Sequence, residues 1–381
     1  MIAAVRAVTL GCRPLAQLSH PVEVIRQFTP NWFAAVMGTG VLALTLPLAH
    51  PGFSGAGELL WLTAAAMFVL FVLLYGARWM FFGHEARLIF GHNTVSMFIG
   101  TIPMALATVI NGALVFGIAR FGTGIVPLAH TLWWIDVALA LACGVLIPYL
   151  MFTRHEHSLD QMTAVWLLPV VAAEVAGASG GLLAPHLADP HVQLKVLATS
   201  YMLWAYSVPV AFSILAILIL RMALHRLPHE NMAASSWLAL GPIGTGALGL
   251  LVLGQDAPAI MASHGLAAIG TVAQGIGVIG GLMLWGFGLW WFALATLVTI
   301  RYWRAGTPFN LGWWGYIFPL GVYALATFRL GAALEMEAFA LIGTGFTALL
   351  TGLWLFVAIK TLTGAWAGTL FVAPCLAAQQ A

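Results

Sequence analysis

The sequence predicts an all-α integral membrane protein in which ten helices cross the bilayer, and three observations lead to that fold class. Of the 381 residues, 62% are hydrophobic. Only 26 are charged (14 Lys and Arg, 12 Asp and Glu), too few to cover a water-facing surface. A helix needs about 20 residues to cross a bilayer core of about 30 Å, and ten apolar runs in the sequence are close to that length.

The ten spans follow one another along the chain, each bounded by charged residues or by Pro and Gly clusters. They cover residues 32–48, 59–82, 94–116, 132–152, 164–183, 197–220, 236–253, 274–300, 312–330 and 339–359. Their connections are mostly 8 to 20 residues long, which leaves no room for a separate soluble domain. We expect a cytoplasmic tail over 1–27, one transmembrane domain over 28–361 and a second cytoplasmic tail over 362–381.

Basic residues predict the orientation, because Lys and Arg accumulate in cytoplasmic loops. With the N-terminus inside, eleven basic residues are cytoplasmic and three are external. In order, the cytoplasmic ones are Arg6, Arg13 and Arg26 before the first span, Arg78 and Arg87 after the second, Arg154 after the fourth, Arg221 and Arg226 after the sixth, Arg301 and Arg304 after the eighth, and Lys360 at the end of the tenth. The sequence therefore predicts a multi-pass protein of the plasma (inner) membrane with both termini in the cytoplasm.

Several function classes are disfavoured by what the sequence lacks. Basic residues are scattered and the net charge is +2, so no patch could neutralise a run of phosphates on a nucleic acid. Cys12, Cys143 and Cys375 are far apart and in no metal-binding spacing. A b-type haem would need paired histidines in the middle of the spans, and direct coupling to ATP would need a Walker segment. The sequence has neither. We expect no cofactor, no metal and no catalytic residue. An enzyme subunit and a sensor are therefore weaker alternatives than a transport protein.

The odd-numbered spans differ in composition from the even-numbered ones. Pro103, Pro169, Pro242 and Pro319 fall inside spans three, five, seven and nine, and the first span carries Gly38 and Gly40. Because proline removes a helical hydrogen bond, we expect kinked odd helices around a pore and apolar even helices facing lipid. The alternative is that small residues only allow close packing, as the four-residue spacing of Gly177 with Gly181 and of Gly277 with Gly281 would permit.

Four motifs, in order along residues 28–360, resemble the tellurite-resistance/dicarboxylate transporter family. They are Phe28-Thr29-Pro30-Asn31-Trp32-Phe33 with Val36-Met37-Gly38-Thr39-Gly40, Trp166-Leu167-Leu168-Pro169-Val170-Val171 with Ser179-Gly180-Gly181, Gly241-Pro242, and Trp313-Trp314-Gly315-Tyr316-Ile317-Phe318-Pro319-Leu320-Gly321. That family includes malate permeases, sulfite exporters, tellurite-resistance proteins and plant guard-cell anion channels. The resemblance implies five helical hairpins around a central pore in each subunit of a homotrimer.

The resemblance also implies a gate. In channel members of the family a phenylalanine on the ninth helix occludes the pore, and the matching residue here is Phe318. Its place directly before Pro319 gives a physical rationale, because rotation of the ring could open or close an apolar constriction that gates by dewetting. Without the resemblance, a core or interface aromatic is the simpler interpretation.

Four polar residues are candidates for a substrate or proton pathway. Glu174 falls near the middle of span five, where a carboxylate is costly and often functional, although it could be a neutral carboxyl bonded to a neighbouring helix. Thr39 and Asn111 are polar residues of odd spans. Arg329 lies toward the outer end of span nine, where it could attract an anion or act as an interfacial group.

The predicted function is membrane transport of small anions. Pore helices with one carboxylate and several breaks, whose N-termini present N–H donors, suit oxyanions better than metal cations. We expect a secondary carrier of C4-dicarboxylates such as malate, which Glu174 could couple to protons. The alternative is a gated channel or exporter for sulfite, tellurite, chloride or nitrate, because one scaffold serves all these substrates in the family that the chain resembles.

Overall fold

The computed structural model describes residues 14–377, and ten long helices dominate it. They are α1 (Phe33–Ala49), α2 (Ser54–Phe81), α3 (Thr101–Gly112), α4 (Val126–Thr153), α5 (Leu168–Leu183), α6 (Pro190–His225), α7 (Leu240–Ala262), α8 (Ala267–Ala305), α9 (Ile317–Leu334) and α10 (Glu337–Ala367). A π turn, Ala113–Gly117, continues α3 into a last helical turn, Ile118–Phe121. The ten predicted spanning helices are confirmed.

The five odd-numbered helices form a closed ring in chain order. Glycines mark each contact: Gly40 meets Thr108 between α1 and α3, Gly100 meets Leu168 at the entries of α3 and α5, Gly181 meets Val252 between α5 and α7, Gly244 meets Tyr323 between α7 and α9, and Gly321 meets Val41 between α9 and α1. All five helices run in the same direction, because an even helix returns the chain between each pair. Their N-terminal ends therefore gather at one side of the membrane.

The even-numbered helices form an outer layer around this ring. In the most apolar stretch of each odd span at least 67% of the residues are buried, whereas in each even span at most 33% are buried. Exposed side chains on the even helices are large and apolar, for example Leu73 on α2 and Leu297 on α8. This is the predicted arrangement of odd helices inside and even helices facing lipid.

The even helices extend well beyond the apolar runs that predicted them. Helix α6 covers 36 residues and α8 covers 39, about 54 and 58 Å at 1.5 Å per residue. Hydropathy detects only the part within the bilayer core, while the backbone hydrogen bonds continue through the more polar ends. The tenth helix likewise continues to Ala367, past the predicted domain boundary at 361.

The residues after α10 pack against the transmembrane domain. The Phe371 ring stacks on Trp32 with centroids 4.9 Å apart, and the Ala373 N–H donates to Gln27 Oε1 at 3.0 Å. Arg78 is fully buried and links the segment before α1 to the segment after α10. It donates to Phe28 O at 2.5 Å and to Cys375 Sγ at 3.6 Å. The sequence predicts a tail from 362 onward, and residues 369–376 are instead part of the packed structure. Residues 1–13 and 378–381 of the two predicted tails lie outside the described residues.

Candidate functional site

A cavity of about 640 Å³ opens where the N-terminal ends of the five odd helices meet. Its polar lining groups are neutral amides, hydroxyls and one imidazole, from Asn31, His92, Thr94, Thr101, Asn231, Ser235, Asn310 and Thr369. Within residues 14–377, neither a carboxylate nor a Lys or Arg side chain lines it. The cavity has no acidic ring of the kind that attracts cations.

His92 is the one titratable side chain in the cavity lining within residues 14–377. Its Nδ1 atom accepts the N–H groups of Thr94 and Val95, both at 3.2 Å. Burial, and to a smaller extent the nearby His155, lowers the pKa of His92 below its ordinary value of 6.5. The imidazole therefore gains a positive charge only in more acidic solution than an exposed histidine requires.

The four predicted kink prolines lie inside their spans, in the first turns of the α-helices, and the pore-kink role expected for them stays a prediction. Pro169 is the second residue of α5, and Pro103, Pro242 and Pro319 are the third residues of α3, α7 and α9. The first N–H groups of a helix have no intrahelical acceptor, so a proline there breaks no bond. Each follows a short helical turn, of 3₁₀ type before α3, α5 and α9. The prolines thus mark where tight turns around the cavity become α-helix.

Phe318 lies at the inner end of the cavity. The side chain is 6% exposed, and it is the second residue of α9. Following each odd helix inward, the last residues that line the cavity are Met37, Met104, Val171 and Gly241, with Phe318 and Pro319 on α9. These residues, at least one from every odd helix, form an apolar collar at the inner end of the cavity, and Phe318 belongs to it.

Gly38 and Gly40 provide close approach between helices. A Cβ atom on Gly38 would lie 2.7 Å from the Trp314 ring, and one on Gly40 would lie 2.6 Å from Thr108 Oγ1. Both belong to an uninterrupted α1, whose only internal proline is Pro47. These two glycines therefore bring α1 against α3 and α9, and the pore-kink role expected for them stays a prediction.

Thr39 faces away from the cavity. Its hydroxyl donates to Ala35 O at 2.8 Å and accepts the Trp354 indole N–H of α10 at 3.1 Å. Thr39 does not line the cavity, in which Met37 is the inner residue of α1. The structure thus places Thr39 at the contact between α1 and the outer layer, and the pathway role expected for it is not supported.

This placement predicts that Thr39→Val leaves anion flux unchanged and lowers stability. Valine keeps the shape but leaves the buried Trp354 N–H without its acceptor, a loss of about 1 kcal/mol. Flux per reconstituted molecule and the thermal unfolding midpoint in detergent would be measured together. A flux lowered by more than half in a protein of normal stability would return Thr39 to the pathway.

Asn111 and Arg329 share faces with cavity residues but lie farther along their helices. Asn111 is two turns beyond Met104 on α3, is half-buried and has no partner for Oδ1 within the described chain. Arg329 is eleven residues beyond Phe318 on α9, about 16 Å away at 1.5 Å per residue, and donates to Gln255 Oε1 at 3.0 Å. The structure places them beyond the collar, toward the opposite side of the membrane, and neither lines the cavity.

Arg329→Gln is predicted to slow anion entry from the side opposite the cavity. A partly exposed charge attracts an anion at 4 Å through water by about 1 kcal/mol, which corresponds to a change of about fivefold in the entry rate. We expect Arg329→Lys to retain the rate, and the difference to shrink as ionic strength rises. The measurement is tracer influx into proteoliposomes in which the orientation of the protein is controlled. Equal influx rates for Arg329→Gln and Arg329→Lys at low salt would exclude the electrostatic role.

Glu174 is fully buried on α5, outside the cavity lining. Its Oε2 lies 3.3 Å from Ser207 Oγ of α6, while Oε1 has no partner within the described chain. Sequence reasoning did not single out Thr245 on α7, whose buried hydroxyl also has no partner within the described chain. It also missed the cavity residues after α10, which follow no apolar repeat that could have indicated them.

A family model described as a voltage-dependent anion channel, SLAC1, matches residues 27–362. The chain belongs to this SLAC1 family. The family and its members are channels and transporters, not enzymes, and the resemblance to tellurite-resistance/dicarboxylate transporters is confirmed.

Relatives of this family member carry names of transporters, two of them of anions. The chain is 35% identical to a sulfite efflux pump of Arthroderma benhamiae over 345 residues, covering 89% of this chain and 91% of the relative. It is 30% identical to an uncharacterized transporter of Methanocaldococcus jannaschii over 352 residues, 91% and 97% of the two chains. A malic acid transport protein of Schizosaccharomyces pombe is 23% identical over 334 residues, 84% and 74% of the two chains. Membrane transport of anions is therefore the function of this protein at the level of the family.

Proposed function

We propose that this protein exports small oxyanions of the sulfite class from the cytoplasm through the centre of the odd-helix ring. The observation that carries the proposal is the cavity of about 640 Å³, which no carboxylate, Lys or Arg side chain of residues 14–377 lines and which ends at the apolar collar that includes Phe318. It is far larger than either sulfite or malate, so selection falls to the collar and the path beyond it. The 35% identity to a sulfite efflux pump, against 23% to a malic acid transport protein, favours sulfite over the malate that the sequence alone favoured.

The proposal includes an orientation and an assembly. The cavity faces the cytoplasm of a cell whose plasma or inner membrane holds the protein, since basic residues gather near the ends of α2, α4, α6 and α8 on the cavity side. Arg78, Arg154, Arg226 and Arg304 are examples. Three copies associate through the apolar even helices, as the family resemblance implies, each with its own pore. Phe318 acts as the gate in every copy.

A yeast strain that lacks its own sulfite efflux pump tests the proposal. Expression of this chain should restore growth on sulfite and lower intracellular sulfite, while labelled malate in the same cells stays at the level of the empty vector. The Thr39→Val variant, predicted to keep its flux, serves as the expression-matched positive control. Malate accumulation without sulfite tolerance would support the second candidate, a dicarboxylate carrier, which the relative from Schizosaccharomyces pombe favours.

A further inference from the structure

Two buried oxygen atoms without partners belong to the facing sides of α5 and α7. Glu174 is 0% exposed and Thr245 is 1% exposed, and neither Glu174 Oε1 nor Thr245 Oγ1 has a hydrogen-bond partner in the described chain. More than nine in ten buried polar groups in proteins are paired, so each such atom calls for an explanation.

The register of α5 and α7 brings these residues to the same contact. A Cβ atom on Gly181 of α5 would lie 2.9 Å from Val252 Cγ1 of α7. The two helices run in the same direction, and seven residues make two turns that return to nearly the same face. Glu174 and Thr245 lie seven residues before Gly181 and Val252. The two side chains therefore oppose each other at one level of the ring.

Thr245 differs from the other buried threonines of the long helices. Eight of these donate their hydroxyl to a carbonyl three or four residues earlier: Thr39, Thr45, Thr101, Thr108, Thr299, Thr327, Thr347 and Thr361. The Thr245 hydroxyl makes no such bond, so its proton remains free to donate to another group.

The hydrogen bonds around Glu174 leave one of its oxygens free. The Ser207 hydroxyl donates to Val170 O at 2.9 Å and makes a longer contact, 3.3 Å, to Glu174 Oε2. Glu174 Oε1 has no partner within the described chain, so its lone pairs are free to accept a hydrogen bond. The opposed pair consists of one donor, Thr245, and one acceptor, Glu174.

This pair lies one turn beyond the collar. Gly241 and Val171 are the last cavity residues of α7 and α5, and Thr245 and Glu174 come four and three residues later. A Cβ atom on Gly244 would lie 3.0 Å from the backbone N of Tyr323, five residues past Phe318. An ion that passes the Phe318 ring next reaches the level of Thr245 and Glu174.

Other ionisable groups on the neighbouring helices face elsewhere. Asp136 of α4 lies on the opposite side of α5, because the Trp133 indole one turn away donates to Ala176 O at 2.8 Å. The Tyr323 hydroxyl of α9 donates to Trp285 O, and the Tyr206 hydroxyl of α6 donates to Leu141 O. Asp256 of α7 lies eleven residues, about three turns, beyond Thr245. Arg329 of α9 lies six residues, under two turns, beyond Tyr323 and donates to Gln255 Oε1.

We propose that Thr245 and Glu174 form a binding site for a singly protonated oxyanion, of which hydrogen sulfite is the representative. The Thr245 hydroxyl donates to a charged oxygen of the anion, and Glu174 Oε1 accepts the proton that the anion carries. A dianion has no proton to give to Glu174, so the site rejects it. This inference rests on the proposed function and names the protonation state of the substrate.

The test is radiolabelled sulfite uptake by proteoliposomes at two pH values, one at which hydrogen sulfite prevails and one at which the dianion prevails. For the wild type, the half-saturating concentration of total sulfite should be lower at the acidic pH. Thr245→Val should raise the half-saturating concentration at the acidic pH about tenfold, because a hydrogen bond to a charged group is lost. The difference between the half-saturating concentrations at the two pH values should shrink as a result. Thr245→Ser should restore the wild-type values.

Thr347→Val is the matched control, because the buried Thr347 hydroxyl donates to Gly343 O within α10, away from the ring. It should leave both half-saturating concentrations unchanged. An unchanged acidic value for Thr245→Val, or a wild type that takes up sulfite equally well at both pH values, would overturn the binding site while leaving sulfite transport intact. A wild type that carries no sulfite at either pH would overturn the proposed function and this inference with it.

Discussion

Phe318→Ala is expected to raise anion flux through the protein by about tenfold, equivalent to removing a barrier of about 1.4 kcal/mol. Phe318 lines the inner end of the cavity together with residues from the other four odd helices, and the proposed gate is its ring. A narrow apolar constriction excludes water and ions, and an alanine in the collar would widen it. The measurement is tracer sulfite efflux from proteoliposomes per molecule of reconstituted protein.

Phe328→Ala is the matched control for this prediction. Phe328 is on the same helix and is 8% exposed, yet its ring contacts Gly343 of α10, on the outside of the ring of odd helices. The substitution removes the same atoms from a buried site and should lower stability without raising flux. A Phe318→Ala variant that folds but has wild-type or lower flux would show that the Phe318 side chain is a packing element.

Gly100→Ala is expected to lower the free energy of unfolding by about 3 kcal/mol or to prevent folding. A Cβ atom at Gly100 would lie 2.3 Å from Leu168 O and 3.0 Å from Pro169 Cα. These are backbone atoms at the start of α5, so no side-chain rotation can relieve the clash. The entries of α3 and α5 would have to separate, and with them two walls of the cavity.

Thermal unfolding in detergent measures this effect, with Gly76→Ala as the control. Gly76 lies within α2, and a Cβ atom added there would have no neighbouring atom within 4 Å. Alanine at this position should therefore be neutral or stabilising by up to about 1 kcal/mol through helix propensity. Equal unfolding midpoints for the two variants would contradict the close contact between α3 and α5.

Hydropathy and composition were sufficient for the architecture. The requirement for about 20 apolar residues per span is a strong physical constraint, and it located all ten helices. The prolines of the odd spans and the glycines of the first span indicated which helices lie inside. The glycine spacing also predicted close contact correctly: Gly277 approaches Leu250 O, Gly281 approaches Leu251, and Gly177 approaches Ser200 O.

The details of the site depended on geometry that the sequence does not carry. A proline within an apolar run looks like a kink, but hydropathy does not show where the α-helix begins, and Pro169 and Pro319 belong to first turns. Thr39 and Thr245 are alike in sequence terms. Only the rotation of each helix in the ring distinguishes the hydroxyl that accepts from Trp354 from the one left without a partner in the described chain.

The choice of substrate was the least accessible to sequence reasoning. Glu174 suggested a proton-coupled dicarboxylate carrier, because a buried carboxyl in a span is usually functional. Malate and sulfite differ mainly in size and in the number of groups they can bond, and the cavity is large enough for both. The greater similarity to sulfite efflux pumps, over 89% of the chain, shifts the balance toward sulfite.

Modification of the cavity wall during sulfite transport tests the central claim most directly. Ala34 lines the cavity on α1, so Ala34→Cys, in a chain whose three cysteines are replaced by alanine, can be labelled by a bulky thiol reagent. Leu297→Cys on the outer face of α8 is the control. We expect labelling at position 34 to abolish sulfite flux and labelling at position 297 to leave it unchanged. Sulfite flux that survives complete labelling at position 34 would contradict a path through the centre of the ring.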